Sequence, residues 1–354
     1  MAEGFLISKD SLHFLSLQPL LPVQGSADVL QNHELTARVI SHLDSLRDII
    51  VCSAVSKCWH ISVSNLAPTS LVIPGHDADL TVIATDRILY WVQQKQRQGH
   101  LQDLHTLSIL LLNASDIMAT SISINELASF GQAVIAFAGL WPLTGTTLVG
   151  PFKLTQVVLL LPTTLQSLHV RVGRRRELDD DDDSDDNISL GLFKRLESLR
   201  CLHLEFVDPA RPERTFELDA ALPNLHCMHV SPCTTTCDSG FVAQLLPNLT
   251  HVALVVRVLD AQQFADLQCI QYLCVALSDV GSHPVSFVVK ADSCLHELRM
   301  AVASMININI ELQKSDLRYD CRGSRWAISN AGTQGFACKV LKDFQSLELR
   351  TFLP

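Results

Sequence analysis

The sequence has no tight pair of cysteines. Its 11 cysteines are scattered, and Cys233 and Cys237 leave three residues between them where structural zinc sites commonly leave two. Their number is odd, and Cys201, Cys227 and Cys274 sit inside apolar strand-like runs. A secreted disulfide framework is therefore not expected, and the thiols read as packed and reduced, as in a cytoplasmic or nuclear protein. Catalytic signatures are missing too: there is no glycine-rich phosphate loop, no Gly-x-Ser-x-Gly elbow and no His-Glu-x-x-His, so the chain reads as a non-enzyme and no cofactor is expected.

Charge is scarce, at 18%, and basic charge scarcer, with 27 Lys and Arg against 37 Asp and Glu and a net charge of -10. Nucleic acid and anionic membranes are poor partners for such a chain, because phosphate binding needs concentrated cations. The apolar start has no positive n-region, since Glu3, Lys9 and Asp10 flank it and His13 and Gln18 interrupt it, which argues against secretion. The charge-free interval between Glu126 and Lys153 is divided by Gly131, Gln132, Pro142, Gly145 and three threonines from Thr144 to Thr147. That leaves Ala133 to Leu143 as its strongly apolar part, too short for a membrane span and expected to be buried structure.

What is present is apolar periodicity of two kinds. Between Leu30 and Trp59, helical spacing puts Leu35, Val39 and Leu43 on one side with Ile40 beside them. A turn at Asp44-Ser45 comes next, then Leu46, Ile49 and Ile50, then Val55 and Trp59. Three short helices cannot cover so many apolar side chains, because a unit this small has a poor ratio of volume to surface. Some must meet another surface.

At these residues the chain resembles the F-box, the adaptor-binding motif of SCF-type ubiquitin ligases. Leu30, Glu34 and Leu35 match its opening, Val39-Ile40-Ser41-His42-Leu43 its middle, Asp48 the acidic position before the apolar helix, and Val55-Ser56-Lys57-Cys58-Trp59 its close. Gln31 stands where proline is usual and Ser56 where cysteine is usual. The resemblance implies that Leu30, Glu34, Leu35, Val39, Ile40, Leu43, Asp48, Val55 and Trp59 bind a Skp-family adaptor, and through it a cullin. The other reading is a helical cap on the rest of the chain.

The second periodicity is a repeated Leu-x-x-Leu-x-x-Leu-x-Leu phrase. It runs as Leu196, Leu199, Leu202, Leu204; then Leu222, Leu225, Met228, Val230; then Leu246, Leu249, Val252, Leu254; then Leu267, Ile270, Leu273, Val275; shorter forms end at Met300 and Leu349. The markers Leu202, Met228, Val252, Leu273 and Leu298 are 26, 24, 21 and 25 residues apart, inside the range of about 20 to 29 for leucine-rich repeats, which the phrase resembles. Upstream, Leu71-Val72-Ile73, Leu104 to Ile109 and Leu165 to Val170 read as strands and Leu80 to Gln93 as a helix. Ile122-Ser123-Ile124 and Val157-Val158-Leu159 are candidate strands, Trp326-Ala327-Ile328 a degenerate repeat, and the alternating Met305 to Glu311 an extra strand. The last phrase is followed only by Arg350 to Pro354. The final apolar edge is then covered by a partner or by the chain, or the product is shortened.

The expected fold is therefore α/β: an extension over 1-27, an F-box-like three-helix unit over 28-68, and a repeat solenoid over 69-354 with a concave parallel sheet. An acidic loop is inserted at about 174-187, where Arg174-Arg175-Arg176 precede Asp179 to Asp183, Ser184, Asp185 and Asp186. It is either an arm for a basic partner or a solvated loop. It lacks the spaced pattern of a calcium loop.

One residue per repeat, between the last two markers, points to the concave side, giving Ser108, His169, His203, His229, Ala253, Cys274, Arg299 and Glu348. The preceding column reads Ser167, Cys201, Cys227, His251, Tyr272, Glu297 and Ser346. His169, His203, His229, His251, Tyr272 and Arg299 are the candidate client-binding residues, with the three neighbouring histidines expected to be solvated and to make docking sensitive to pH between about 6 and 7. His203, His229, Cys201 and Cys227 have suitable chemistry for a metal, but their spacing does not favour one, and no metal is expected.

The two resemblances together imply a substrate-recognition subunit of an SCF-type ubiquitin ligase, holding a client protein on the repeats. A non-ligase scaffold and a small-molecule-gated receptor are the alternatives, the last wanting a basic inner cluster where the columns offer only Arg299.

Overall fold

The computed structural model describes residues 33-43, 46-53, 55-75, 82-111, 124-150, 152-173, 187-207, 215-231, 234-236, 244-256, 262, 265-277, 285-302, 308-322 and 326-330. The extension, Leu30, nearly all of the acidic insertion, Cys233, Cys237 and the final phrase with Ser346 and Glu348 lie outside the described residues. The chain divides into two compact units, Met1–Leu66 and Ala67–Pro354.

In the first unit, α1 (His33–Ser41), α2 (Leu46–Ser53) and α3 (Lys57–Ser64) follow one another, and α3 packs against both partners. Ile40, Leu46, Ile49 and Val63 are buried among them, and the Cys58 thiol donates to the buried Thr36 hydroxyl at 3.8 Å. Helix α3 starts where it does because Ser56, in extended backbone, accepts the Trp59 N–H on its hydroxyl at 3.3 Å. That satisfies one of the orphan donors of the first turn. The serine that departs from the usual cysteine is thus the N-cap.

The second unit is α/β and built on a ten-stranded parallel sheet. Its strands are β1 (Ser70–Gly75), β2 (Thr106–Leu111), β3 (Gly145–Gly150), β4 (Ser167–Gly173), β6 (Cys201–Val207), β8 (Cys227–Ser231), β10 (His251–Val256), β11 (Tyr272–Leu277), β13 (Glu297–Val302) and β15 (Arg318–Arg322). They lie in sequence order, each new strand added to the same edge. Between them run the return segments. The first are helical: α4 (Val82–Arg97), α5 (Ile124–Ala138), α6 (Leu154–Leu160) and the 3-10 turn Leu190–Phe193, each resting on the one before. Alongside and after that turn the returns become short strands, pairing as β5 (Asn187–Ser189), β7 (Thr215–Glu217) and β9 (Thr234–Thr236), and as β12 (Val285–Val289), β14 (Ile308–Leu312) and β16 (Trp326–Asn330), both sets parallel.

The repeated phrase explains this stacking. Leu202, Met228, Val252, Leu273 and Leu298 stand in direct register on successive strands, and all are buried. In eight successive repeats the carbonyl just before the strand accepts two N–H groups from the next repeat. Thr69, His105, Thr144, Gln166, Arg200, His226, Thr250 and Gln271 all do so, at 2.7 to 3.2 Å. The amides of Asn224 and Asn248, in two Leu-Pro-Asn-Leu turns, donate to the carbonyls of Glu197 and Pro223 at 2.8 and 2.7 Å, tying each turn to the repeat before it.

Four expectations change. The strand after β2 is β3, with Thr146 at the inward position that Leu107 and Leu168 hold beside it. Val157-Val158-Leu159 lies in helix α6, and Ile124 opens helix α5, residues 122-123 being outside the described set. A short apolar run does not distinguish strand from buried helix. The tenth strand is β15, where Tyr319 takes the register position beside Leu298, while Trp326-Ala327-Ile328 joins a smaller sheet through β14. Ile310, from the alternating segment, is buried there. No helix among the described residues is long and apolar enough to cross a membrane, and Ala133 to Leu143 instead runs from α5 into a turn that buries Trp141 and Leu143 and leaves Leu140 71% exposed.

Candidate functional site

Two surfaces carry the candidate residues. On the three-helix unit the split between inside and outside is sharp. Ile40 is fully buried, whereas Leu35, Val39 and Val55 keep 41%, 44% and 54% of their surface exposed. Ile40 therefore belongs to the unit's own core, a correction with a simple cause: one residue turns a helix by about 100 degrees, which carries it from Val39's outer side to the inner one. Leu43 and Trp59 are half-buried, Glu34 lies in α1, and Asp48 is exposed in the first turn of α2. Val51 and Ile61 are exposed as well, two apolar residues beyond the expected ones. Val51 sits three residues after Asp48, on the same side of α2, and that spacing is the signal that could have found it.

On the sheet, the two predicted columns run straight. Ser108, Thr147, His169, His203, His229, Ala253, Cys274, Arg299 and Asp320 occupy one row of partners, and Ser167, Cys201, Cys227, His251, Tyr272, Glu297 and Arg318 occupy the other. Parallel pairing in register leaves identical side chains directly beside each other, close enough for their rings to meet. The three histidines stack face to face, His169 on His203 at 4.0 Å and 16°, His203 on His229 at 3.8 Å and 22°. In the second column His251 stacks on Tyr272 at 4.3 Å, and His296 meets the edge of Tyr272 at 6.5 Å.

Stacking overturns the expectation of solvated histidines. His229 keeps only 7% of its surface exposed, and the Nε2 atoms of His203 and His229 are buried with no hydrogen-bond partner among the described residues. Burial, reinforced by the neighbouring imidazoles, pushes His203 down to about 2; burial, with His169 adding to it, pushes His229 down to about 4. Both rings are neutral between pH 6 and 7, so the expected pH window does not come from them.

Around the stack lie the other reactive groups. Cys201 and Cys227 face each other across β6 and β8, and a hydrogen bond from the Cys227 thiol lowers Cys201, with His226 and Arg200 helping against partial burial. The shared proton and burial raise Cys227. Beyond the histidines, Arg171 Nε pairs with Glu205 Oε1 at 3.5 Å, and on β13 Arg299 Nε pairs with Glu297 Oε1 at 2.7 Å. The donor atoms of His169, His203 and Glu205 lie within 4.8 Å of one another. The four-residue set with ligand chemistry, His203, His229, Cys201 and Cys227, does not converge in this way among the described residues. Glu205 escapes a reading of the two columns because it falls outside both, two residues beyond His203 on the same face of β6.

A scan against models of known protein families finds no match, and no curated protein matches the chain.

Proposed function

We propose that the protein is a substrate-recognition subunit of an SCF-type cullin-RING ubiquitin ligase, in which the F-box-like helices hold a Skp-family adaptor and the leucine-rich-repeat-like unit holds a client protein. The observation that carries this reading is that Leu35, Val39, Val51, Val55 and Ile61 stay exposed on a three-helix unit whose own core is already filled by Ile40, Leu46, Ile49 and Val63. Five exposed apolar side chains on so small a unit are the material from which a partner-binding patch can be made. Their order along the chain follows the F-box resemblance at Leu35, Val39 and Val55.

On the second unit the accessible groups include the His251, Tyr272 and His296 cluster and the Arg299–Glu297 pair, a polar and aromatic surface suited to a protein segment. Chemistry on the client is supplied in trans, by holding its lysines near a charged ubiquitin carrier at high effective concentration. The test is a hydrogen-exchange footprint with a purified Skp-family adaptor. Slowed exchange in 33-41 and 46-53 is the expected result, and an unchanged pattern in both helices removes the proposal.

A further inference from the structure

We infer that His169, His203 and Glu205 form a binding site for a divalent transition-metal ion. They are the one group of three potential ligands among the described residues whose donor atoms approach one another this closely, within 4.8 Å. The placement follows from the sheet. His169 and His203 are partners across β4 and β6, and Glu205 follows His203 by two residues, so all three side chains leave the same face. Both strands are interior ones, held by β3 on one side and β8 on the other, so their backbones are fixed before any ion arrives.

Donor chemistry selects the ion. Two imidazoles and one carboxylate suit zinc, cobalt, nickel or ferrous iron, whereas calcium and magnesium take oxygen donors. His203 Nε2 is buried without a hydrogen-bond partner among the described residues, a cost that a metal bond would relieve. All three residues are half-buried, so the group lies at the face of the sheet, and turning the His203 ring brings its buried nitrogen to an arriving ion.

Loading must change the local geometry. Metal–ligand bonds of about 2.0 to 2.2 Å require donors closer together than they stand. The two rings therefore turn out of their 16° near-parallel stack, and Glu205 gives up or shares the carboxylate that now meets Arg171 at 3.5 Å. Three protein ligands leave at least one coordination position for water or for a group on a bound partner. The inference is independent of the adaptor reading.

The chelator-treated full-length protein is titrated with Co2+ by absorption and with Zn2+ by calorimetry. The expected result is one ion per chain, visible d–d bands without a sulfur-to-cobalt charge-transfer band, and affinity at least about tenfold weaker in His203→Ala and in the isosteric Glu205→Gln. Arg171→Gln, which removes the competing cation, binds more tightly. The inference is overturned by no binding at millimolar Co2+, by affinity unchanged in Glu205→Gln, or by a charge-transfer band abolished in Cys201→Ser, which puts the ion on the Cys201 and Cys227 thiols.

Discussion

Replacing His229 with phenylalanine should flatten the acid sensitivity of the large sheet. The unfolded chain protonates this imidazole near 6.5, while the folded sheet, by burying the ring beside its neighbours, resists protonation down to about 4. Below 6.5 the unfolded state therefore binds the extra proton. Stability is full above that pH, falls as pH drops through it, and stops falling on this account near pH 4. At about 1.4 kcal/mol per pH unit, the loss between pH 7 and pH 5 is about 2 kcal/mol for His229. His203, pushed lower still, adds to the drop in the same direction.

The variant His229→Phe keeps a ring in the stack and removes the titration. Hydrogen exchange at the β6 and β8 amides, read at pH 5 and pH 7 after correction for intrinsic rates, isolates the sheet from the helices. Wild type should lose about 2 kcal/mol more protection than the variant, equivalent to roughly a 30-fold difference in opening. Equal losses in the two proteins would show that the stack does not hold the imidazole neutral.

Other outcomes rest on single contacts. Ser56→Ala removes the cap on Trp59 N and should cost the three-helix unit about 1 kcal/mol, read as a lower melting temperature of its helical signal. Cys201 should alkylate with iodoacetamide before Cys227 at neutral pH, and Cys227→Ala should slow it by removing the thiol that donates to it; peptide mass spectrometry gives both rates. Gly131→Ala should destabilise the protein despite the better helix propensity of alanine, because the new Cβ overlaps the Phe152 ring; thermal unfolding decides the sign.

The parts legible in the sequence are those where chemistry and register coincide. From Leu202 to Leu298 the inward positions are apolar, so the repeat, the strand and the facing columns can all be read from residue order alone. Strand β3 is hidden because Thr146 takes an inward position, and β15 because Tyr319 takes the position beside Leu298, remaining 41% exposed on the last strand of the large sheet. The switch of the return segments from helices to short strands leaves little trace, since those strands are three to five residues long. Periodicity also says which way a histidine points and not what shields it. Identical rings in register shield one another, and that turns three expected surface groups into a stack with buried nitrogens.

The central claim is that the exposed apolar side chains of the three-helix unit bind a Skp-family adaptor. Its most direct test is calorimetric titration of purified adaptor into the full-length protein and into Leu35→Asp and Val39→Asp, both at exposed positions where a charge leaves the core intact. The account predicts a one-to-one complex for the wild type, weakened by at least about 30-fold in each variant, or roughly 2 kcal/mol. Absence of binding by the wild type, or equal binding by all three proteins, would contradict it.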